Sequence, residues 1–184
     1  EKSGELLSIS DLIRGHQKMP KRAKTGDLKP IVFIRFNTRQ GKAKPVTLRA
    51  LLNSGGSGSL VTERFTKKLR LKKTSSKQVW TMPGGALNTS TKCQAAFTIP
   101  ELHENRLISW DLYVAPNLGA YDMILGRDVL TDLGIDIRFS TNTVYWDGAE
   151  IPMKDRDTVQ MESFHLNDPA AIKDTTDQLK SILD

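Results

Sequence analysis

A loop of small residues holds the side chain of this sequence that is best placed to do chemistry. It follows the apolar run Leu48–Leu52 and reads Asn53-Ser54-Gly55-Gly56-Ser57-Gly58-Ser59. Glycines allow the backbone to turn tightly and let another chain come close, and the serines can hydrogen-bond neighbouring backbone groups. We therefore interpret the loop as presenting the residue at its head, Asn53. The alternative is an ordinary Asn/Ser/Gly turn between two strands, and the loop alone does not separate the two.

A second run, Tyr121–Leu130, combines apolar and charged residues and predicts a short strand followed by a short helix. Met123–Leu125 is predicted to form a short buried strand, and Gly126 allows the chain to cross closely behind the first loop. Asp128 is predicted to cap a short helix that Gly134 ends.

Strand patterns connect these two signals. Ile31–Phe36 and Val46–Leu52 predict a hairpin that leads into the Asn53 loop, with turn chemistry over 37–42. A second hairpin is predicted from Lys77–Met82, a turn at Pro83–Ala86, and a return strand that ends at Ile99.

The remaining elements are shorter. A helix is predicted over Thr62–Leu69, with Thr62 as its cap and Phe65 and Leu69 on one face. Further strands are predicted by three β-rich runs, and Asp147-Gly148 is a strong two-residue hairpin signal. These runs are Ser109–Val114, Ile135–Phe139 and Thr143–Trp146.

Composition indicates a globular chain. Of the 184 residues, 38% are hydrophobic and 26% charged, which fits one domain with extensions. No stretch of 18 apolar residues occurs, and no signal-peptide core is seen near residue 1, so we expect neither membrane insertion nor secretion. The single cysteine, Cys93, excludes an internal disulfide and suits a reducing compartment; a strand-like setting makes it a poor nucleophile.

Charge is unevenly distributed around the net value of +6. Seven basic residues and no acidic residue lie in Arg64–Lys77, and six basic residues meet one acidic residue in Arg14–Lys29. The stretch Asp155–Asp184 has the opposite balance, with seven acidic and three basic residues. No groove-reading motif or aromatic interleaving accompanies the cations, so a solvated basic face is the favoured interpretation. A weak, salt-sensitive contact with RNA is the alternative.

The same patterns divide the chain into three parts. We predict a basic N-terminal arm or linker over 1–29, an ordered domain over 30–154, and an acidic, partly helical C-terminal extension over 155–184.

Both motifs resemble those of retropepsin-like aspartic proteases. Leu51-Leu52-Asn53-Ser54-Gly55-Gly56-Ser57 is similar to their active-site loop, hydrophobic-hydrophobic-Asp-Ser/Thr-Gly-Ala/Gly-Ser, with Asn53 where the family has its catalytic Asp. Tyr121–Leu130 is similar to the run that closes the fold, especially in proteases of Ty3/Gypsy-type retrotransposons. The hairpin between them, with Gly84-Gly85 at its tip, resembles the flap that covers bound peptide. The resemblance covers about residues 31–153 and implies an all-β fold: a closed β-barrel with a flap hairpin and a short helix, with one half-site per chain.

The resemblance also implies roles for particular residues. Position 53 would carry the catalytic group, Ser54 would brace the loop across a two-fold axis, and Gly55 would offer its carbonyl to the peptide. Residues implied in substrate binding are Gly56, Ser57, Met82, Gly84 and Gly85. Residues implied in supporting the loop are Asp122, Gly126, Arg127 and Asp128. For Arg127 we expect an internal ion pair or bonds to loop carbonyls, with a partly exposed charge as the alternative.

The implied function is an aspartic endopeptidase that processes a retroelement polyprotein as a homodimer, without a cofactor or metal. A carboxamide cannot replace the catalytic carboxylate, so we expect Asn53 to inactivate the chain. The alternative is a noncatalytic module of the same fold that dimerises or binds peptide. The expected location is cytoplasmic, including virus-like particles.

Overall fold

The structure is a computed structural model that describes residues 27–36, 46–82, 84–155 and 159. Several predictions lie outside these residues: most of the N-terminal arm, the turn over 37–42, Pro83, and the helical part of the C-terminal extension.

An N-terminal hairpin carries the chain into the Asn53 loop. Strand β1 (Ile31–Phe36) pairs antiparallel with β2 (Val46–Asn53), and Ile31 lies opposite Leu51. Buried and less buried residues alternate along β2, as expected for a strand with one face in the core. The predicted hairpin is therefore present, and β2 extends by one residue to include Asn53.

Seven strands form the main sheet. The further members are β3 (Leu60–Thr62), β4 (Lys73–Met82), β5 (Gly85–Ile99), β6 (His103–Ala115) and β7 (Met123–Gly126). The strand order is β1-β2-β7-β3-β6-β5-β4, and an additional pairing of Arg35 on β1 with Thr98 on β5 closes the sheet into a barrel. The all-β architecture predicted from the sequence is thus confirmed.

Two short helices and a small sheet complete the described part. Helix α1 (Glu63–Lys68) follows β3, and α2 (Arg127–Leu133) follows β7. Strands β8 (Asp136–Arg138), β9 (Thr143–Trp146) and β10 (Ala149–Pro152) form a three-stranded antiparallel sheet. None of the helices in the described residues is long and apolar enough to cross a membrane.

The barrel core is filled by large apolar side chains from most strands. Ile34, Leu48, Phe97 and Leu125 are almost completely buried. Burial of each such side chain stabilises the fold by about 1.5–3 kcal/mol. The two predicted motifs are therefore joined through one core, since Leu48 precedes the first loop and Leu125 belongs to the second run.

Several predicted strand boundaries differ from the observed ones. The strand predicted over Ile135–Phe139 is shorter, since β8 spans Asp136–Arg138. Strand β4 begins at Lys73 rather than Lys77, with a register shift between Ser75 and Gln78. Met82 pairs with Gly85, so the turn at the hairpin tip is shorter than the predicted Pro83–Ala86. Strand β6 runs over His103–Ala115 because it pairs along β5, and polar side chains on its exposed face hide it from hydrophobicity patterns.

The two predicted helix caps have different outcomes. Thr62 is the N-cap residue of α1, as predicted, although its side chain makes no capping hydrogen bond. At α2 the N-cap is Gly126, and Asp128 lies within the first turn, where its carboxylate contacts other elements. The predicted helix end is correct: Gly134 adopts a left-handed conformation with φ 71°, and its N–H donates to the Leu130 carbonyl.

Candidate functional site

Asn53 lies where the two sequence motifs meet. It is the last residue of β2 and the parallel partner of Gly126, the last residue of β7. Because both strands end at the same level, the loop after β2 and the start of α2 are neighbours. The fold therefore brings the two predicted motifs together at one edge of the sheet.

The loop holds the side chain of Asn53 by local hydrogen bonds. Asn53 Oδ1 accepts from the Gly55 N–H at 3.1 Å, and the Asn53 carbonyl accepts from the Gly56 N–H at 3.2 Å. A Cβ atom on Gly56 would lie 3.1 Å from Asn53 Nδ2. Residue 53 is thus oriented by the backbone of the loop, in space that glycine leaves open.

The start of α2 packs against the loop after β2 so closely that a side chain at position 126 would not fit. The Arg127 N–H donates to the Gly56 carbonyl at 2.7 Å, and a Cβ on Gly126 would lie only 2.2 Å from the Gly58 oxygen. Only glycine fits at position 126 without movement of the loop. This confirms the close crossing that the sequence predicts there.

Asp128 links the loop to β6. Its Oδ1 accepts from Ser59 Oγ at 2.9 Å and its Oδ2 accepts from Trp110 Nε1 at 2.8 Å. Ser59 is fully buried, and its Oγ also accepts from the Gly126 N–H at 3.0 Å. The Asp128 carboxylate, predicted as a helix cap, instead fixes the end of the loop.

Ser59 and Trp110 were not among the predicted site residues. Ser59 is one of several serines in the loop, and its sequence gives no sign that it alone is buried. Trp110 reads as an ordinary strand aromatic; only the pairing of β6 with β3 brings its strand beside the loop.

The β4–β5 hairpin rests on the loop through Trp80. A Cβ on Gly58 would lie 2.3 Å from Cη2 of Trp80, so the indole occupies the space above this glycine. Trp80 Nε1 donates to Thr89 Oγ1 at 3.0 Å, and the ring packs edge-on against Tyr113 with 4.9 Å between ring centres. Trp80 is a further contact residue that the sequence analysis did not identify.

Asp122 supports the other end of β7. Its Oδ2 accepts from the Arg49 N–H at 2.9 Å, and its backbone bonds both Arg49 and Thr62. The carboxylate also lies 3.6 Å from Arg49 Nε. Asp122 thus ties β2, β3 and β7 together, at a distance of several residues from Asn53.

The predicted substrate-binding residues fall into two groups. Gly56 and Ser57 belong to the loop itself, whereas Gly84 and Gly85 are exposed at the hairpin tip, where an added Cβ would meet open space. Met82 is the last residue of β4. The catalytic and substrate-binding roles of these residues, and those of Ser54 and Gly55, stay predictions.

Among the residues that the structure describes, Arg127 forms no salt bridge, so the predicted internal ion pair is not found there. Its side chain is exposed and, with Ser57 and Asp132, lines an open cleft of about 400 Å³. The alternative, an exposed charge, describes it correctly; the backbone N–H of Arg127, rather than its guanidinium, binds the loop.

Cys93 is buried away from this site. Only 1% of it is exposed, and burial raises the pKa of its thiol to about 11, against the opposing effect of the Lys73 charge. The prediction that it is a poor nucleophile is consistent with this environment.

Comparison with known proteins identifies the fold. No protein family and no curated protein matches the chain. Among solved structures it is similar to the retroviral protease-like domain of Ddi1 from Leishmania major, with a TM-score of 0.50 and 18% identity over 70% of this chain and 96% of that domain. It is also similar to EIAV protease in complex with the inhibitor HBY-793, with a TM-score of 0.45 and 23% identity over 61% of this chain and 95% of the protease. The chain has a retropepsin-like fold.

Proposed function

We propose that this chain is an inactivated aspartic endopeptidase of the retropepsin type, whose active form is a homodimer that processes the polyprotein of a Ty3/Gypsy-type retrotransposon. One observation carries the proposal: within a retropepsin-like fold, Asn53 ends β2 beside Gly126 on a loop held from behind by α2. A loop fixed in this way holds the side chain of residue 53 in one orientation, as catalysis at that position requires.

An aspartate at position 53 would need a second carboxylate. In aspartic peptidases the ionised member of a pair activates water, while the protonated member polarises the scissile carbonyl. The Asn53 loop is the one such loop in the sequence, since no second Asp-Ser/Thr-Gly or Asn-Ser/Thr-Gly run occurs. A two-fold dimer supplies the pair by placing two copies of position 53 together.

Asn53 removes this chemistry but preserves the shape of the site. A carboxamide cannot accept a proton from water and cannot share one with a partner carboxylate. Its Oδ1 still accepts the Gly55 N–H, as one oxygen of a carboxylate would. We infer that the parent protein carries Asp at position 53 and that Asn53 stops catalysis with little effect on folding.

Substrate would bind between the loop and the β4–β5 hairpin. A peptide in extended conformation can add to exposed backbone as a further strand, with its side chains directed alternately to either side. Gly84 has φ 89° at the hairpin tip, a conformation that glycine adopts without strain. In the proposed enzyme, Gly84 and Gly85 close over the peptide.

The test is restoration of activity by Asn53→Asp. We expect the variant to cut a retroelement polyprotein, with an acidic pH optimum and inhibition by a statine-containing peptide. Asn105→Asp, an exposed position on β6, is the control for the added charge and should cut nothing. Failure of a folded, dimeric Asn53→Asp protein to cut any substrate of a broad panel would contradict the proposal.

The second candidate is a noncatalytic module of the same fold that dimerises or binds peptide. Asn53 itself favours it, because the residue at the head of the loop has no acid-base function. Peptide binding by both the native chain and the Asn53→Asp variant, with no cleavage by either, would be the result expected for such a module.

A further inference from the structure

One short segment carries as much net positive charge as the whole chain. Residues 63–77 contain seven Lys and Arg residues and a single acidic residue, Glu63. The segment's own charge of +6 equals that of the whole chain, because the twenty basic and twenty acidic residues outside it balance. Proteins do not need such a concentration for solubility, and it produces a local positive potential.

The structure places these cations on the surface. The segment comprises α1, the connection after it and the first half of β4. All seven basic residues are exposed; we call them the basic face: Arg64, Lys67, Lys68, Arg70, Lys72, Lys73 and Lys77.

Contacts within the segment gather four of the cations. Lys67 Nζ and Lys73 Nζ each lie 3.6 Å from the same Oε1 of Glu63, which joins α1 to β4. The side chains of Arg64 and Lys68 lie over the buried ring of Phe65, at 5.5 and 5.9 Å from its centre. One carboxylate and one ring therefore hold several positive charges together against their mutual repulsion.

The other cations of the basic face are not neutralised. In the part of the chain that the structure describes, Arg70, Lys72 and Lys77 form no salt bridge with a carboxylate. Several basic residues elsewhere are paired, as Lys92 is with Asp111 and Arg106 with Asp147. The excess charge is thus concentrated on this face rather than spread evenly over the described surface.

The face lacks the features of a protein-binding site. The exposed large apolar residues among the described ones are Val79, Leu107 and Phe139, all outside residues 63–77. Protein interfaces depend on apolar and aromatic anchors, whereas nucleic-acid backbones are bound mainly by Lys and Arg contacts to phosphates. The absence of an exposed aromatic side chain within 63–77 also removes base stacking as a source of sequence preference.

We propose that the basic face is a nucleic-acid-binding surface that recognises backbone phosphates without reading sequence. It extends the proposed function to a second ligand and stands independently of catalysis. Because β4 leads from this face into the hairpin whose Trp80 covers Gly58, bound nucleic acid would lie near the base of that hairpin.

The proposal is tested with the full chain and a fluorescent single-stranded uridine oligonucleotide, by anisotropy between about 50 and 200 mM salt. The triple variant Lys68→Gln, Lys72→Gln, Lys77→Gln removes three exposed cations of the basic face. Each phosphate contact to a single strand contributes about 0.7 to the slope of log affinity against log salt, so the slope should fall by about 2. The corresponding Lys→Arg triple keeps the charges and should keep the slope.

Matched controls separate this face from other cations of the chain. Lys18→Gln, Lys21→Gln, Lys24→Gln removes three charges from the N-terminal arm, and Lys92→Gln, Arg106→Gln, Arg138→Gln removes three from other strands. Both should retain most of the affinity and slope. Loss of binding in the arm variant with no change in the basic-face variant would overturn the proposal, and so would tighter binding of a polyglutamate peptide than of the oligonucleotide.

Discussion

Ser59 Oγ donates to Asp128 Oδ1 across 2.9 Å, although the two residues are 69 positions apart in the chain. The same serine oxygen accepts the Gly126 N–H, and the same carboxylate accepts Trp110 Nε1. One buried hydroxyl and one carboxylate thus connect the loop after β2, the start of α2 and strand β6.

This relationship predicts the effect of Asp128→Ala. The substitution removes the carboxylate that accepts two hydrogen bonds, so the donors of Ser59 and Trp110 lose their acceptor. We expect the free energy of unfolding to fall by about 3 kcal/mol. Chemical denaturation measures the loss. Asp132→Ala on the exposed side of the same helix is the control and should change stability by less than about 0.5 kcal/mol. Equal effects of the two substitutions would contradict the role assigned to Asp128.

A second prediction concerns the crossing behind the loop. Gly126→Ala places a methyl group 2.2 Å from the Gly58 carbonyl oxygen, so backbone must move, at a cost of about 3 kcal/mol or more. Gly119→Ala is the comparison: φ is +67° there but the space is open, so strain alone should cost about 1–2 kcal/mol. Thermal unfolding of both variants gives the comparison. If Gly126→Ala were as stable as Gly119→Ala, the backbone around Gly58 would move at little cost, and the prediction would be wrong.

The third prediction tests the contact between the hairpin and the loop. Gly58→Ala and Trp80→Ala should each destabilise the protein, the first by overlap with the indole and the second by loss of its packing. In the double variant the overlap is absent, so its cost should be about 1 kcal/mol less than the sum of the single costs. The control cycle pairs Gly58→Ala with Val79→Ala, whose side chain is exposed, and should be additive. Additivity in the Trp80 cycle would mean that the two groups do not touch in solution.

The sequence predicted the elements around the site better than the contacts within it. β1 and β9 were predicted with their observed bounds because their patterns are local. Position 53 and Gly126 were identified because both motifs are contiguous runs. Neither a hydrophobic pattern nor a turn signal could show that Ser59 is buried against Asp128, or that Trp80 fills the space above Gly58. Both contacts depend on how distant strands pair.

The same reason explains the wrong cap at α2. In the sequence, an Asp near a helix start favours a local capping hydrogen bond. In the structure, the donors of Ser59 and Trp110 bind the Asp128 carboxylate instead, and only the fold brings them close to it. Lys154 is a parallel case: it is buried, with Nζ 2.7 Å from Glu101 Oε2 and donating to the Ile31 carbonyl, although Lys usually indicates surface.

The fourth prediction concerns pH and Cys93. Burial raises the pKa of this thiol from its ordinary value of 9.0 to about 11, so the folded state keeps the proton where the unfolded state loses it. The stabilisation is complete below pH 9 and should be lost as pH rises from 9 to about 11, by roughly 2–3 kcal/mol. Unfolding free energies of the Asn53 chain with and without Cys93→Ala, measured across this range, isolate the effect. A pH dependence that Cys93→Ala leaves unchanged would contradict it.

In the proposed enzyme, catalysis needs one aspartate at position 53 from each of two chains. The direct test mixes the Asn53→Asp variant with the Asn53 chain at a fixed total concentration, allows subunits to exchange, and measures the rate of polyprotein cleavage. If only dimers of two variant chains are active, an equal mixture should retain roughly a quarter of the activity of the pure variant, because activity follows the square of the variant fraction. Retention of half the activity, in proportion to the variant fraction, would show that a single chain suffices and would contradict the shared site.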